Sequence, residues 1–444
     1  MNRRLISVWT TALLTLAALA LATASEDQAA SVAGRWVLTA DFYGTVRYLS
    51  LQLQQQGLRL TGSWNGSDLE GSVAGAHLHF TAKTAQGGTI EVDGSVERGS
   101  MAGTVVQRDL EDPTISFHFT GTLVAELRPR TSQRHEFTPS VFYRQFSPFN
   151  KPVLMVGPGD TVHTTTVDAG GNDEKGIKRV AGGNPQTGPF YIEGAMPGDT
   201  LVVHLTRLRL NRNWAGSDDG IVESGLNSHL AVKMKDNGKP IRWNLDLTKG
   251  VASPAKPSNR LANFTVPLRP MLGCIAVAPG PSSAPPSTGD SGSWGGNMDF
   301  NEIIEGSTIF LPVSNPGALL YVGDGHALQG DGELNGNALE TSMDVEFTVN
   351  VIQAKRISSV RVETPAAIVA MGLQGSLDDA FREATSNMAQ WLAEDYKLSP
   401  SEIAQVLGAT AEYKVSEVAD RNSGIVLKIS KERLQTLMAA EGPI

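Results

Sequence analysis

The chain has 444 residues, more than a single hydrophobic core usually organises, so we expect two domains of unequal size. Apolar residues make up 41% and charged residues 19%, with 46 Gly and 23 Pro, which excludes disorder, coiled coil and collagen and favours a loop-rich β protein. The formal net charge of −9 argues against nucleic acid or an anionic membrane surface as a partner, because neither offers positive charge.

The first residues have the pattern of a secretory signal peptide. Arg3 and Arg4 precede an apolar run at residues 5–21, and Ala22-Thr23-Ala24 forms an A-x-A cleavage pattern. We therefore expect a signal peptide at residues 1–24, a secreted or periplasmic protein, and no stable membrane insertion after cleavage. The alternative is an uncleaved anchor, because about 18 apolar residues are just long enough to cross a bilayer.

Residues 32–125 alternate apolar and polar side chains with period two, which is typical of short strands. Turn signals such as Asn65-Gly66 separate these runs at even spacing, so the pattern predicts a small antiparallel β-barrel-like domain. His77 and His79 would share one face of a strand. We interpret them as ordinary strand positions rather than a metal pair, because neither an acid nor a third histidine lies near them in sequence.

A linker is predicted at residues 126–136, and a second domain at residues 137–444. Its strand-like runs lie at residues 153–156, 200–208, 308–313, 319–322 and 343–354. Helical spacing comes late: Ser376 is a good N-cap for a helix reaching about Tyr396, and Pro400 or Ser401 begins a second helix. We expect a last strand at residues 424–429 to close an α+β domain dominated by antiparallel sheet.

Cys274 is the only cysteine, so an internal disulfide cannot form. It lies in an apolar run at residues 272–277. We therefore interpret it as a buried small hydrophobic residue rather than as a nucleophile.

Acids, amides and glycines cluster in three places of the second domain, each beside an apolar strand. The cluster at residues 168–175 has the composition of an ordinary tight turn. The cluster at residues 183–199 contains Asn184 and Glu193 among glycines that would let backbone amides approach a ligand, although a surface hairpin explains it equally well. The segment 211–214, with two Asn, Arg and Trp, could line a pocket, but a packed strand end is favoured.

The third cluster combines Asp299 with the string Gly-Asp-Gly-His-Ala-Leu-Gln-Gly-Asp-Gly-Glu at residues 323–333. Asp324 and His326 are two residues apart, so an extended segment points both toward one divalent cation, and Asp299 would supply a third ligand. Three protein ligands with an open position suit hydrolysis by a metal-activated water, with Glu333 or Asp331 as the general base. The alternative is an acidic Ca²⁺-binding turn or a solvated loop.

From about residue 137 onward the sequence resembles the acetamidase/formamidase family. The resemblance is carried by Gly-Asn-Pro-Gln-Thr-Gly-Pro at residues 183–189, Glu-Gly at 193–194, Gly-Asn-Met-Asp at 296–299, Pro-Gly-Ala-Leu at 316–319 and the string at 323–333. It implies a β-sandwich-like fold with C-terminal helices, and hydrolysis of the C–N bond of short linear amides to a carboxylic acid and ammonia. It also implies a divalent metal, Zn²⁺ or alternatively Ca²⁺.

The resemblance also indicates candidate roles for residues of these motifs. As metal ligands we assign Asp299, Asp324 and His326; as catalytic residues Glu333, Glu193 and Asp331; and as substrate-binding residues Asn297, Gln329 and Asn184. The partner expected is a small amide, and a homodimer is the expected assembly. The signal and the N-terminal domain separate this chain from many relatives, and the insert at residues 278–296 is either a lid over the pocket or a flexible loop.

Two alternatives to metal-dependent hydrolysis stay open at this point. In a metal-free route Glu193 or Glu333 would act as the base, and backbone amides would stabilise the oxyanion. In the other, the chain is a non-catalytic extracellular binding protein on the same scaffold.

Overall fold

The computed structural model describes residues 31–84, 87–109, 114–234, 238–280 and 284–438. The predicted signal peptide at residues 1–24 lies outside the described residues. The described chain forms two compact units, one reaching Gly44 and continuing over Leu49–Val124, the other formed by Thr45–Tyr48 and the residues from Ala125 onward.

The first unit is built on a closed barrel of eight antiparallel strands. Its strands are β1 Gly34–Phe42, β2 Thr45–Gln56, β3 Arg59–Trp64, β4 Ser67–Ala74, β5 His77–Lys83, β6 Thr89–Glu97, β7 Ser100–Arg108 and β8 Ile115–Leu123. Each strand pairs with the next, and β1 pairs with β8 to close the barrel. Asn65 and Gly66 form the two-residue turn between β3 and β4, and both have positive φ, as this hairpin type requires.

The period-two alternation fills the barrel interior with side chains. The buried residues include the aromatic side chains Trp36, Trp64, Phe80 and Phe119. Full burial of side chains of this size contributes about 1.5–3 kcal/mol each. The predicted β-barrel is confirmed, and its interior is a packed core.

The second unit contains the remaining strands of the described chain. They are β9 Arg134–Glu136, β10 Phe142–Tyr143, β11 Leu154–Val156, β12 Thr161–Thr165, β13 Gln186–Ile192, β14 Thr200–Leu210, β15 Trp214–Asp218, β16 Pro240–Asp246, β17 Val251–Pro254, β18 Val266–Pro267, β19 Met271–Ala276, β20 Ser291–Gly292, β21 Gly295–Asn297, β22 Thr308–Pro312, β23 Leu320–His326, β24 Glu340–Thr341, β25 Met343–Ile352, β26 Arg361–Glu363, β27 Ala367–Gln374, β28 Glu412–Glu417 and β29 Ser423–Ser430.

These strands form two sheets that share one core. The first has the order β18-β17-β16-β15-β24-β23-β19-β21-β20, with β13 also paired to β23 and carrying β10 and β11. The second has the order β28-β29-β27-β26-β22-β14-β25-β12-β9. Phe190 of the first sheet and Phe347 of the second meet edge to face, with ring centroids 5.5 Å apart. This is the mainly β, sandwich-like architecture that the sequence predicts.

Helices α2 Leu377–Asp395, α3 Pro400–Thr410 and α4 Lys431–Met438 lie late in the chain, as expected. The short helix α1 Ser228–Lys233 was not predicted; it lies between β15 and β16, and short 3₁₀ turns lie at Glu223–Gly225 and Asn259–Leu261. Ser376 caps α2 through the backbone N–H of Asp379, and Ser399 forms a capping box with Glu402 at the start of α3. Helix α2 packs its buried face on β27 and β29.

The last three residues of the predicted linker, Arg134–Glu136, pair in parallel with β12 as an edge strand. One sequence prediction about this unit is wrong. The strand β29 does not close the chain, because α4 follows it directly and Leu434 packs into the same core as β27 and β29. Helix α4 was missed because its sequence is short and strongly polar, so the few apolar residues that pack against the sheet give no clear helical pattern.

Among the residues that the structure describes, no helix is long and apolar enough to cross a membrane. Cys274 is fully buried. The pKa of its thiol is raised well above the usual value, mainly by this burial and to a smaller extent by the nearby carboxylates of Asp324 and Asp299. The prediction of a buried, unreactive cysteine agrees with this position.

Candidate active site

The candidate site lies where β19, β23 and β24 run side by side in the first sheet. In the strand register His326 stands opposite Glu340 on one side and opposite Met271 on the other. The chain leaves β21 at Asn297 and turns back, so that the N–H of Asp299 donates to the carbonyl oxygen of Gly273 at 3.2 Å. These pairings collect acids that are far apart in sequence around one imidazole.

His326 is the centre of the group and is fully buried. Its Nε2 lies 3.0 Å from Glu340 Oε1 and 3.3 Å from Asp324 Oδ2. Although these distances are short, Nε2 does not meet the angular requirement of a hydrogen bond with either carboxylate. Two carboxylates thus face one ring nitrogen without satisfying it.

Asp299 lies on the other side of the imidazole, with Oδ1 4.0 Å from His326 Nδ1. Both of its carboxylate oxygens are buried and have no hydrogen-bond partner among the residues that the structure describes. A Cβ placed on Gly273 would lie 2.4 Å from Asp299 Oδ1 and 2.2 Å from Asp324 Oδ2. The two carboxylates therefore face each other across the space that the missing side chain of Gly273 leaves free.

Glu333 completes the inner group. Its Oε1 accepts a hydrogen bond from the backbone N–H of Ala338 at 2.9 Å, and the residue is 5% exposed. Glu333, Asp299 and Asp324 have φ angles of 46°, 41° and 60°, in the left-handed region that few side-chain-bearing residues occupy. Such conformations are often found at functional sites, because they aim a side chain that regular structure would point elsewhere.

The site carries an excess of buried negative charge. Burial raises the pKa of Asp299 well above its ordinary value, and Glu333 and Asp324 raise it further. Burial also raises the pKa of Glu333 to about 8 and that of Glu340 to about 7, against the lowering effect of His326. For His326 burial alone would lower the pKa, but the Glu340 and Asp324 carboxylates outweigh it, and the pKa is well above its usual value. Bound protons or a bound cation would relieve this charge.

The end of β28 and the loop that follows it bring two further acids that sequence reasoning missed. Glu417 is fully buried, and burial followed by the neighbouring Asp420 raises its pKa to about 8. Its backbone bridges to Gly332, beside Glu333. Asp420 lies at the rim, and its Oδ2 accepts from Asn297 Nδ2 at 2.6 Å. Both acids lie more than 80 residues after the string at 323–333, in a segment whose sequence predicts only an ordinary turn.

A chain of carboxamides runs along the same side of the site. Gln186 Nε2 donates to Asn184 Oδ1 at 2.8 Å, and Asn184 Nδ2 donates to Asn297 Oδ1. Asn297 in turn donates to Asp420. Gln186 Oε1 is buried and lacks a hydrogen-bond partner within the described part of the chain. Two predicted substrate-binding residues, Asn184 and Asn297, are therefore in contact and share this chain with Gln186.

The predicted catalytic residues Glu193 and Asp331 lie elsewhere. The Glu193 side chain is 50% exposed, and its nearest cation is Arg130 at 3.9 Å. Asp331 is 51% exposed, pairs with Lys414 at 2.9 Å and accepts from Asn301. Neither belongs to the carboxylate–imidazole group, although both lie beside glycine-rich turns as the sequence indicated.

The segment 211–214 contacts the backbone of the site's strand β24 and pairs with the polar cluster at residues 168–175. Arg212 is buried, its Nη2 lies 2.8 Å from Asp168 Oδ2, and the same nitrogen donates to the backbone carbonyl of Glu340. Its guanidinium stacks 3.5 Å from the Trp214 ring centroid. These residues thus hold the strand that carries Glu340 in place. Sequence reasoning also missed Glu340 itself, because the only sign of it in the sequence is an acid that follows Ala-Leu at residues 338–339.

The insert at residues 278–296 is integrated into the sheet in its described part. Its residues form β20 and the start of β21, the carbonyl of Trp294 accepts from Val277, and Asn422 donates to the carbonyl of Ser291. In its described residues the insert is thus part of the sheet beside Asn297 and not a free loop.

The donor atoms present fit a divalent cation. Ligand atoms of Asp324, His326 and Glu340 lie within 4.8 Å of one another, and so do those of Asp299, His326 and Glu333. His326 Nε2, Glu340 Oε2 and both Asp299 oxygens are buried without partners in the described chain. One imidazole nitrogen among carboxylate oxygens suits a borderline cation such as Zn²⁺.

A third set of the same kind lies on the barrel, at His79, Glu91 and Asp93. Its atoms are already partnered, because His79 Nδ1 lies 2.8 Å from Asp93 Oδ1 and Glu91 pairs with Arg108 at 2.7 Å. The acids come from the neighbouring strand β6 and not from the sequence around the histidines. The set is half-buried to exposed and already paired, in line with ordinary strand positions.

Fold and site together define a two-sheet β protein with a buried carboxylate–imidazole centre. Comparison with known families narrows this class. Residues 287–383 match the model of the Acetamidase/Formamidase family, a segment that includes Asp299, Asp324, His326, Glu333 and Glu340. The resemblance predicted from the sequence is thereby confirmed over this segment.

Similar proteins of known name or structure agree with this assignment. The chain is 38% identical over 72 residues to the Schizosaccharomyces pombe protein named "Putative formamidase C869.04", a match that covers 16% of this chain and 17% of that protein. The chain thus spans about a sixth of that relative in the alignment.

Solved structures match over a longer stretch. A "predicted acetamidase/formamidase" of Thermoanaerobacter tengcongensis is 28% identical with a TM-score of 0.60, over 69% of this chain and 99% of that one. An acetamidase of Yersinia enterocolitica is 27% identical with a TM-score of 0.59, over 69% and 94%. An acetamidase of Bacillus halodurans is 26% identical with a TM-score of 0.57, over 68% and 99%.

Proposed function

We propose that the chain hydrolyses the C–N bond of a small linear amide, adding water to give a carboxylic acid and ammonia. The observation that carries this proposal is the buried group of Asp299, Asp324, His326, Glu333 and Glu340, whose ligand atoms are close together and partly unpartnered. The kinship with amidases of known structure supports the same reaction class.

We propose that Asp324, His326 and Glu340 hold a divalent cation, with Asp299 facing them across Gly273. Zn²⁺ is the cation we favour over Ca²⁺, because an imidazole nitrogen is a ligand that zinc accepts readily whereas calcium prefers oxygen alone. A cation bound there would lower the pKa of a bound water and polarise an amide carbonyl.

Glu333 is the residue that we propose as the proton carrier. Its Oε1 is held by the N–H of Ala338, while the carboxylate stays within the group formed with Asp299 and His326. It would accept the proton from the attacking water and return it to the leaving nitrogen, which departs as ammonia when the C–N bond breaks. The reaction consumes one water molecule for each amide that is hydrolysed.

The carboxamide chain supplies a surface suited to a primary amide. The side chains of Asn184, Asn297 and Gln186 donate and accept hydrogen bonds in sequence, and Gln186 Oε1 is buried with a free acceptor position. A substrate N–H would satisfy that oxygen. Because an unpaired buried acceptor costs about 1–3 kcal/mol, this site would discriminate against an ester or an acid.

The test is ammonia release from formamide, acetamide, propionamide and longer amides, together with metal analysis of the purified protein. D324N and H326Q should lose bound metal and turnover together. D160N is the matched control, because Asp160 is an equally buried carboxylate with four hydrogen-bond partners and lies outside the group. Unchanged metal content in D324N and H326Q would refute the ligand assignment.

Two results would redirect the proposal. Full activity after exhaustive chelation would support a metal-free route with Glu333 as base; the exposed position of Glu193 does not favour that residue. Tight metal binding without turnover of any amide would indicate a non-catalytic binding protein.

We also propose export. Its support is the basic start, the apolar run and the A-x-A pattern before Ser25 in the sequence. Mass analysis of the purified native protein should show a mature chain beginning at Ser25, recovered from the periplasm or the medium. A full-length chain retained in cytosol would contradict it. A homodimer remains our proposal for the assembly, and sedimentation analysis tests it.

A further inference from the structure

Gln329 is enclosed at the back of the site, 6% exposed, and uses both ends of its carboxamide. Its Nε2 donates to the backbone carbonyl of Asp299 at 2.5 Å and to that of Ser416 at 3.2 Å. Its Oε1 lies 2.9 Å from His326 Nδ1. Gln329 was predicted to bind substrate, but every polar atom of its side chain is engaged with the protein itself.

The carbonyl partners fix which end of the amide faces the imidazole. A backbone carbonyl can only accept, so the end of Gln329 that contacts Asp299 O and Ser416 O must be the NH₂ group. The end that faces His326 is therefore the carbonyl oxygen, which can only accept. It follows that Nδ1 of His326 carries a proton.

With Nδ1 protonated, a neutral His326 has its lone pair on Nε2. That atom faces Asp324 Oδ2 at 3.3 Å and Glu340 Oε1 at 3.0 Å and has no hydrogen bond of good geometry. A lone pair directed at two carboxylates is repulsive unless a cation or a proton lies between them. Asp299 is on the Nδ1 side, where the ring nitrogen is already used.

We propose that Gln329 is a positioning residue that holds His326 in the Nδ1–H form, so that Nε2 is the metal-binding atom and the metal lies on the Asp324 and Glu340 side. This proposal rests on the proposed metal centre and deepens it. The antiparallel strands β28 and β29, the C-terminal hairpin, take part in this positioning, because the carbonyl of Ser416, next to Glu417, is one of the two groups that orient the amide. Partners of this kind typically alter metal affinity 10–100-fold when removed.

The experiment compares wild type with Q329M, which keeps the length of the side chain and removes both hydrogen-bonding ends. Asn387 provides a matched structural control: its Nδ2 donates to the carbonyls of Val360 and Met371, and its Oδ1 accepts from Arg361, all within the α2 core. N387L therefore removes the same kind of clamp away from the site. The full-length chain, stripped of metal, is titrated with Zn²⁺ against a competing chelator.

Ring protonation is read by ¹⁵N NMR of histidine-labelled protein, with the His326 signals identified by their loss in H326N. Zn²⁺-loaded wild type should show a proton on Nδ1 and a metal-shifted Nε2. Q329M should lose the fixed Nδ1 proton and bind Zn²⁺ 10–100-fold more weakly, while N387L keeps wild-type Zn²⁺ affinity. Q329E, which retains an acceptor for the Nδ1 proton but offers no donor to the Asp299 and Ser416 carbonyls, should keep the proton on Nδ1 and serves if Q329M does not fold.

Several outcomes would overturn the positioning role. These are Nδ1 bound to zinc in wild type, wild-type affinity and spectrum in Q329M, or equal loss of affinity in Q329M and N387L. If wild type binds no Zn²⁺, the proposed metal centre fails, but the metal-free spectrum still decides the tautomer. In that case the spectrum is recorded at a pH where the ring is neutral: a proton on Nδ1 supports the role of Gln329, and a ring protonated at Nε2 alone overturns it.

Discussion

Gly273 allows the sharpest test of the site, because it is the place where two carboxylates approach a backbone. An added Cβ would lie 2.2 Å from Asp324 Oδ2 and 2.4 Å from Asp299 Oδ1. Ordinary contacts of such atoms begin near 3.4 Å, so both carboxylates would have to move by about 1 Å. The φ angle of Gly273 is not in the left-handed region, so alanine introduces this steric conflict without backbone strain.

A displacement of about 1 Å in a catalytic group costs on the order of 100-fold in rate, and overpacking of a core costs about 1–3 kcal/mol. G273A should therefore lower kcat/KM for the best amide about 100-fold and lower the metal content, with a moderate loss of unfolding free energy. Ammonia release, metal analysis and denaturant unfolding measure the three quantities.

Two glycines supply controls. Gly121 of the barrel would place its Cβ 2.5 Å from Leu38 Cδ2, an overlap of similar size, so G121A should lose stability but keep metal and activity. Gly216 has open space at that position, so G216A should change nothing measurable. Wild-type metal content and turnover in G273A would refute the geometry described for the two carboxylates.

Three further predictions concern single side chains. E340Q should reduce Zn²⁺ affinity at least 10-fold while leaving the fold intact, measured by titration and circular dichroism; unchanged affinity would remove Glu340 from the ligand set. At Asp160 burial raises the pKa, but hydrogen bonds from His135 and two backbone N–H groups, followed by one from Arg130, lower it to about 2 against a usual 3.8. This carboxylate therefore stabilises the fold by roughly 2 kcal/mol above pH 4, and the contribution disappears as the pH falls toward 2. D160N should lose it at neutral pH and flatten the acid limb of the stability curve; an unaltered curve would contradict this. S399A should cost about 1 kcal/mol by removing the cap of α3, seen as a lower unfolding midpoint, and no change would argue against the capping box.

The parts of the fold that the sequence predicts well are those with strong local signals. Period-two alternation and turn pairs such as Asn65-Gly66 predict the barrel, and Ser376 and Ser399 mark the starts of two helices, because these signals act within a few residues. The edge strand at Arg134–Glu136 and the helix Lys431–Met438 were missed, because both depend on packing against elements distant in the chain.

The site shows the same division. Asp299, Asp324, His326 and Glu333 belong to motifs, and the structure brings them together. Glu340 and the acids of the C-terminal hairpin join them only through strand register and loop closure, which no local pattern encodes. Conversely, Glu193 and Asp331 stand in glycine-rich motifs, yet the turns direct them to solvent and to basic neighbours.

The hairpin that brings Glu417 and Ser416 to the centre also determines when the centre can form during synthesis of the chain. A ribosome makes the chain from its N-terminus, so the strands bearing Asp324 and Glu340 are synthesised well before residues 416–422. During that interval Gln329 lacks one of its two carbonyl partners, and the buried acids lack their cover. We therefore expect nascent chains arrested before residue 416 to be devoid of amidase activity even when their barrel is already folded, with the catalytic centre assembled only late in translation.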